Sequence, residues 1–200
     1  MNSATEVRLA PAMPRPSPPP LVIGVGSPHG EDRAGWEVVD RLGAMDLNCS
    51  PACFHKAAVP HDALDWFDPH TTTHVVDAMA SRSDRLLRFE IVCSPLGELQ
   101  TLLTDQANSQ QSVAFPALRS HSTHQFDLRS VLELAATLNL LPHSVVLWAI
   151  PIEGIDTPQG TLGWSMSNTG AEKLAALPNA TLERHIRHAV QCIANEITHA

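Results

Sequence analysis

Residues 21–42 read LVIGVGSPHGEDRAGWEVVDRL, a short apolar run followed by an amphipathic segment. The run at residues 21–26 is apolar throughout and ends in glycine, which is typical of a strand buried on both faces of a parallel sheet. Small and apolar residues then recur at the i, i+3, i+4 and i+7 spacing of a helix packed on one face, at Gly35, Val38, Val39 and Leu42. We therefore predict a first and central strand, a loop and a helix.

The rest of the chain continues this alternation of strands and helices. Further strands are predicted at residues 52–57, 73–77, 86–92 and 145–150, and helices at residues 60–67, 128–138 and 182–197. Residues 94–123 are polar and rich in Gln and Ser, and we expect a long mobile loop there. A second loop, rich in Gly and Pro, is expected at residues 151–167. The pattern predicts a three-layer α/β/α sandwich with a mostly parallel five-stranded sheet.

Length and composition indicate one globular domain. The 200 residues are 44% hydrophobic and 17% charged, which is enough to build a buried core. Residues 1–20 hold six of the sixteen prolines and lack a continuous apolar run, so they predict a disordered tail and not a secretory signal. The domain is accordingly expected at residues 21–200.

The net charge and the cysteines limit the classes of binding partner and the cellular compartment that we expect. A net charge of −8 and a pI near 5.7 give the chain no electrostatic reason to bind nucleic acid or an anionic membrane. No apolar run is long enough for a transmembrane helix. The cysteines Cys49, Cys53, Cys93 and Cys192 lack the spacing of a structural zinc site and are expected to be reduced thiols in the cytoplasm.

The glycines of the first loop do not indicate nucleotide binding. A dinucleotide fingerprint beginning at Gly24 and Gly26 needs a third glycine at position 29, where this chain has His29. Glu31 and Asp32 would also repel a pyrophosphate at the amino end of the following helix. Neither a P-loop nor a serine nucleophile elbow is present.

Three residues remain as candidate metal ligands. Asp32 follows the first strand, Asp77 ends the third predicted strand, and His124 precedes a helix. In a parallel sheet, ligands bind beyond the carboxyl ends of the strands, which is where these residues are expected to meet. Each also has a simpler interpretation: Asp32 as a helix cap, Asp77 in an Asx turn, and His124 as a surface residue.

The surroundings of these three residues resemble the motifs of the hydrogenase maturation proteases. Residues 22–35, VIGVGSPHGEDRAG, are similar to the family's amino-terminal signature, in which a G-x-G-N loop precedes G-D-[DE]-x-x-G. Residues 75–78, VVDA, resemble the second motif, and residues 122–128, STHQFDL, resemble the third. The motifs occur in family order across residues 21–198.

The resemblance implies a function and a ligand set. Family members remove a carboxyl-terminal extension from the large subunit of a [NiFe] hydrogenase once nickel has been inserted. By motif, Asp32, Asp77 and His124 correspond to the residues that contact that nickel. Two carboxylates and an imidazole suit a borderline divalent ion such as nickel or zinc. We therefore expect a monomeric endopeptidase that reads nickel carried by its substrate and holds no tightly bound cofactor of its own.

The sequence departs from the family pattern in two loops. The loop before Asp32 is one residue shorter than usual and has Ser27 where asparagine is common, followed by Pro28 and His29. After the second strand, residues 56–61 read KAAVPH and lack the glycines of the family's usual turn. The metal approach is expected to be more polar than usual, and peptide positioning to differ.

Two other functions remain open at this point. The chain could be a checkpoint that binds the nickel-loaded large subunit without cutting it, or a hydrolase with a resident zinc ion. Within the peptidase hypothesis, either a metal-bound water or one of the carboxylates, Asp32 or Asp77, could supply the base. The remaining histidines, among them His29, His55, His61 and His121, are expected at the surface, and Trp36 and Trp148 in the core or covering the sheet.

Overall fold

The structure is a computed structural model that describes residues 18–47, 53–80, 85–93, 99–104, 110–113, 128–152 and 180–199. These residues form a single seven-stranded sheet covered by helices on both faces. The strands are β1 (Leu21–Val25), β2 (Phe54–Ala57), β3 (Thr72–Ala80), β4 (Leu87–Cys93), β5 (Leu99–Thr104), β6 (Gln110–Val113) and β7 (Ser144–Ile152). The α-helices are α1 (Ala34–Gly43), α2 (Leu128–Thr137) and α3 (Ala180–His199), and shorter 3-10 helices lie at Gly30–Arg33 and Pro60–Asp65.

The sheet is mixed, in the order β2-β1-β3-β7-β4-β5-β6. The first four strands in that order pair in parallel, and β4, β5 and β6 extend the sheet in antiparallel fashion. The α/β class and the layering agree with the sequence prediction. The sheet, expected to have five mostly parallel strands, has seven, of which four pair in parallel. The strand at the middle is β7 and not β1, although β1 is paired on both sides.

The expected long loop at residues 94–123 contains the two additional strands. β5 pairs with β4 on one side and with β6 on the other, so the ladder satisfies the backbone groups of β5 and of the inner side of β6. An antiparallel edge that is only partly covered tolerates polar side chains, and β6 reads QQSV. The absence of an apolar pattern therefore did not exclude a strand. The rest of that segment lies outside the described residues, as do residues 1–17 of the predicted tail and residues 153–167 of the second predicted loop.

Two buried clusters, one on each face, form the core. α1 and α3 cover one face, and their apolar stripes pack on Val22, Val76, Val146 and Trp148. α2 and the 3-10 helix Pro60–Asp65 cover the other face, which includes Ile23, Val75, Leu147 and Ala149. The strands between these layers are nearly continuous apolar runs because both of their faces are buried.

The bounds of the parallel strands and helices agree closely with the sequence prediction. The main difference is at β3, which was expected to stop at Asp77 and continues to Ala80. The predicted helix at residues 60–67 is a 3-10 helix. Cys53, Cys93 and Cys192 form no disulfide among the described residues, and Cys49 lies outside them. Within the described ranges, no helix is long and apolar enough to cross a membrane.

Candidate active site

The candidate site lies where β1 and β3 part. Their ladder ends at the pair Gly24–Val76, and β3 then continues beside β7 alone. Asp77 is the first residue of β3 beyond this last pair, so its place is a crevice between two parallel strands and not a strand end. Such a crevice at the carboxyl edge of parallel strands is where α/β proteins bind ligands.

Asp77 is a buried carboxyl group with 5% of its surface exposed. One carboxylate oxygen, Oδ1, accepts a hydrogen bond of 2.8 Å from the backbone N–H of Ala78. Burial raises the pKa of Asp77 to about 7, the Ala78 hydrogen bond acts in the opposite direction, and the negative charge of Asp32 raises the pKa further. The carboxyl group is therefore close to half protonated near neutral pH.

The loop that carries Asp32 is closed on itself at Gly26. The N–H of Gly26 donates to the carbonyl of Ala57 at 3.1 Å, which ties the loop to the end of β2. Gly26 has a φ of +149°, and a Cβ there would overlap the backbone carbonyl of Asp32. Only glycine fits so close an approach with that backbone conformation. This contact places Asp32 directly over the end of β1.

The Asp32 side chain is half-buried in the 3-10 helix Gly30–Arg33, which contacts β3. Within the described part of the chain its carboxylate has no hydrogen-bond or ion-pair partner, and its one recorded interaction is the repulsion of Asp77. The helix-cap interpretation is not supported, because the N-cap of α1 is Arg33 and makes no side-chain hydrogen bond. The carboxylate oxygens of Asp32 are left available to a ligand.

Two other glycines bring α1 close to the sheet. A Cβ on Gly24 would overlap the carbonyl of Gly35, and a Cβ on Gly35 would lie 2.6 Å from the carbonyl oxygen of Val76. The glycines that resemble a dinucleotide fingerprint therefore serve backbone packing and loop closure. Their effect is to start α1 directly above the crevice.

The turn after β2 is built without glycine. The Asp62 side chain accepts hydrogen bonds from the backbone N–H groups of Ala58 at 2.9 Å and Val59 at 3.2 Å. These bonds satisfy the backbone donors at the start of the 3-10 helix.

The third predicted ligand, His124, lies outside the described residues. Within those ranges, no group of three His, Cys, Asp or Glu side chains comes together as a metal site. α2 begins at Leu128 and packs on the face of the sheet that carries Val75 and Met79. Because side chains alternate along a strand, Asp77 lies on this same face of β3. α2 is followed closely by β7, which is parallel to β3, so the helix begins toward the carboxyl edge of the sheet.

A groove with a volume of about 460 Å³ adjoins the Asp32 loop on the outer side of α1. Its lining residues are Pro28, Arg33, Trp36, Glu37, Asp40 and Arg41. Sequence reasoning missed this surface, although the helical period that buries Val38 and Val39 puts the groove residues of α1 on other faces of the helix. Trp36, expected in the core, is half-buried at this groove, whereas Trp148 is buried as expected.

The other histidines near this edge do not join the two acids. His29 and His61 are exposed, as expected. His55 is half-buried, and its ring stacks on that of Trp66 with centroids 4.6 Å apart. His121 lies outside the described residues. The described part of the site is thus a pair of carboxylates, one buried and one accessible.

Comparison with known proteins gives structural neighbours alone. No protein-family model and no curated protein sequence matches the chain. Similar solved structures include the hydrogenase maturating endopeptidase HybD from E. coli, with 17% identity over 86% of this chain and 88% of that chain and a TM-score of 0.48. Another is an endopeptidase from Escherichia coli, with 14% identity over 86% and 89% of the two chains and a TM-score of 0.49. The hydrogenase 2 maturation peptidase from Thaumarchaeota archaeon SCGC_AB-539-E09 has 18% identity over 88% and 96% and a TM-score of 0.47. Likeness at this level assigns no activity, so we derive function from the residues of this chain.

Proposed function

We propose that this chain is a cytoplasmic, monomeric endopeptidase that recognises nickel in the precursor of a [NiFe] hydrogenase large subunit and removes its carboxyl-terminal extension. The observation that carries the proposal is the pair of Asp32 and Asp77 in the crevice beyond β1, where burial and, to a smaller extent, the charge of Asp32 raise the pKa of Asp77. Strongly perturbed carboxyl groups in a crevice are typical of functional sites. Both acids belong to the motifs that resemble the maturation proteases.

The two carboxylates have complementary properties as ligands for a cation that arrives with the substrate. Asp32 is accessible and has no partner within the described residues, so it can meet the nickel first. Asp77 is buried and holds a proton near neutral pH, which a divalent cation would displace on docking. The cation would relieve the repulsion between the acids, and this relief favours the loaded precursor over the nickel-free one.

His124 completes the set as the nitrogen ligand. The chain enters α2 at Leu128, and the four Cα-to-Cα steps from His124 to Leu128 span at most about 14 Å. Two oxygens and one nitrogen leave coordination positions open for ligands from the large subunit. With the nickel held there, the peptide that follows its ligands in the precursor is aligned for cleavage, and this proximity supplies much of the rate.

Water activation has two routes in such a site. A nickel-bound water is more acidic than bulk water, and one of the two carboxylates could act as the general base. In either case Asp32 and Asp77 are the catalytic candidates, because they are the described groups next to the cation. Peptide hydrolysis adds one water across the scissile bond, and the leaving amine takes up a proton.

The test compares nickel-loaded with nickel-free precursor and measures the carboxyl terminus of the large subunit by mass spectrometry. We expect cleavage of the loaded precursor alone. Asp32→Asn, Asp77→Asn and His124→Ala should each lower the cleavage rate by about 10–100-fold or more. Asp65→Asn, which removes an exposed carboxylate from the 3-10 helix beyond β2, is the matched control and should cleave normally.

Three results would contradict the proposal. Equal cleavage of nickel-free precursor would rule out nickel recognition. Tight binding of the loaded precursor with no change in mass would identify a checkpoint protein instead of a peptidase. Stoichiometric metal in the purified chain, retained through cleavage, would identify a resident-metal hydrolase.

A further inference from the structure

Trp36 links the end of β2 to the beginning of α1. Its indole Nε1–H donates a hydrogen bond of 3.0 Å to the carbonyl of Ala57, the last residue of β2. Trp36 lies one helical turn after Asp32, in the first turn of α1. This hydrogen bond therefore ties the start of α1 to β2, whereas the loop before α1 leaves from β1.

The Ala57 carbonyl accepts from both ends of the Asp32 loop. The backbone N–H of Gly26 donates to it at 3.1 Å where the loop leaves β1, and the Trp36 indole donates to it where the loop enters α1. A carbonyl oxygen has two lone pairs, so both bonds can form together. The loop that carries Asp32 is thus fastened at its two ends to one atom.

A cation–π contact and two ion pairs lie beside this hydrogen bond. The Lys56 ammonium lies 5.7 Å from the centroid of the Trp36 ring and forms an ion pair with Asp40, one turn further along α1. Arg33, next to Asp32, pairs with Glu37 at 3.3 Å on the outer surface of the helix. These partly exposed ion pairs contribute little stability by themselves. The indole hydrogen bond is the more directional link between α1 and β2.

We propose that Trp36 is a positioning residue that holds Asp32 in register with Asp77 by fastening the start of α1 to the end of β2. The proposal rests on the proposed function, because it assumes that Asp32 and Asp77 act on one cation. Trp36 touches neither the cation nor the scissile bond in this scheme. It acts through the Ala57 carbonyl and the closed loop.

The test uses Trp36→Phe in the full chain, which keeps an aromatic ring and removes the indole donor. Trp66→Phe is the matched control, because Trp66 also packs near β2 but stacks on His55, away from the Asp32 loop. Ala57 keeps the Gly26 donor in the variant, so no buried carbonyl loses its last partner. The melting temperature of Trp36→Phe should therefore stay within about 2–4 °C of the wild-type value.

Two measurements report on the loop itself. The first is hydrogen exchange at the Gly26 amide, followed by NMR, which should become faster in Trp36→Phe and stay unchanged in Trp66→Phe. The second is the affinity for Ni²⁺ alone, measured by calorimetry, which should fall roughly tenfold in Trp36→Phe and remain at the wild-type value in the control. If Trp36 had a purely structural role, Trp36→Phe would lower the melting temperature without lowering the affinity for Ni²⁺.

The proposal is overturned if Gly26 exchange in Trp36→Phe equals that of the wild type, or if the control variant changes the loop and the affinity to the same extent. The outcome remains distinguishable from a failure of the proposed function. If the wild-type chain binds no Ni²⁺ and cuts no loaded precursor, the proposed function fails, and the exchange measurement alone then decides whether Trp36 fastens the loop.

Discussion

Asp77→Asn should stabilise this protein at neutral and alkaline pH and have little effect in acid. The substitution keeps the size of the side chain and an oxygen that can accept the Ala78 N–H, but it removes the ionisable group. In the folded wild type, burial raises the pKa of Asp77 from the ordinary value of 3.8 to about 7. The unfolded chain ionises this group near pH 4, whereas the folded chain keeps it protonated up to about pH 7.

The magnitude follows from that difference in pKa. Between pH 4 and pH 7 the unfolded state releases a proton that the folded state retains, so the wild type loses about 1.4 kcal/mol of unfolding free energy per pH unit from this group. Over about 3 pH units the loss approaches 4 kcal/mol. The contribution of Asp77 is thus fully present below pH 4 and lost as the pH rises through 7.

Urea denaturation of both proteins at a series of pH values between 4 and 8.5 measures this effect. The stability difference between Asp77→Asn and the wild type should grow from near zero at pH 4 to about 4 kcal/mol at pH 8, or roughly 8–16 °C in melting temperature. Titration of the eleven histidines cancels in the difference, since both proteins carry them. Asp65→Asn, at an exposed carboxylate, should give no such pH dependence. A stability difference that does not vary with pH would refute the assignment of Asp77 as a group protonated by burial.

Three further perturbations test other parts of the fold. Burial, with a smaller contribution from the charge of Arg88, lowers the pKa of His74 to about 4. The free energy of unfolding should therefore fall by about 3 kcal/mol as the pH drops from 6.5 to 4. His74→Gln should flatten that pH dependence in acid denaturation curves. Gly35→Ala should destabilise the protein by at least about 2 kcal/mol because its Cβ would meet backbone carbonyls of β1 and β3. Gly43→Ala, in open space on the same helix, should stabilise the protein by about 0.5–1 kcal/mol. Similar urea midpoints for the two variants would contradict the close approach of α1 to the sheet. Asp62→Ala should cost about 1–2 kcal/mol because two backbone donors lose their acceptor, and thermal melts that place it level with Asp65→Ala would rule out its role in the turn.

Periodicity made the parallel half of the sheet and its helices predictable. Leu21–Val25 and Ser144–Ile152 are apolar because both faces of these strands are covered, so their sequences alone predict strands. β5 and β6 were missed because an antiparallel edge imposes a weaker pattern: only alternate side chains need be apolar, and the backbone pairing leaves no mark on the side chains. The order of the strands could not be predicted either, because backbone pairing leaves no mark on the side chains. The middle strand is β7, although β1 was predicted to be central.

The site was predictable to the extent that its residues stand in motifs. Asp32 lies near enough to Asp77 for its charge to raise the pKa of Asp77, and Asp77 lies within β3 and owes its position to the end of β1. The contribution of Trp36 could not be read from the sequence, because a tryptophan between apolar helix positions is most simply interpreted as core. What sets its role is a carbonyl on β2, 21 positions away in sequence, and only the fold brings the two together.

The protonation of Asp77 bears on how a site with two adjacent acids can distinguish a loaded substrate from an empty one. Before the substrate docks, the pair carries about half a negative charge less than its composition suggests near pH 7, since Asp77 is close to half protonated there. A free divalent ion must displace that proton from a buried group, so its affinity should be weak and should increase as the pH rises through 7. Under the proposed function, an ion already held by the large subunit arrives with the binding energy of the protein that carries it, and that energy offsets the cost of deprotonating Asp77. The burial that destabilises the empty fold by about 4 kcal/mol at alkaline pH would then favour metal presented by a partner over metal free in solution.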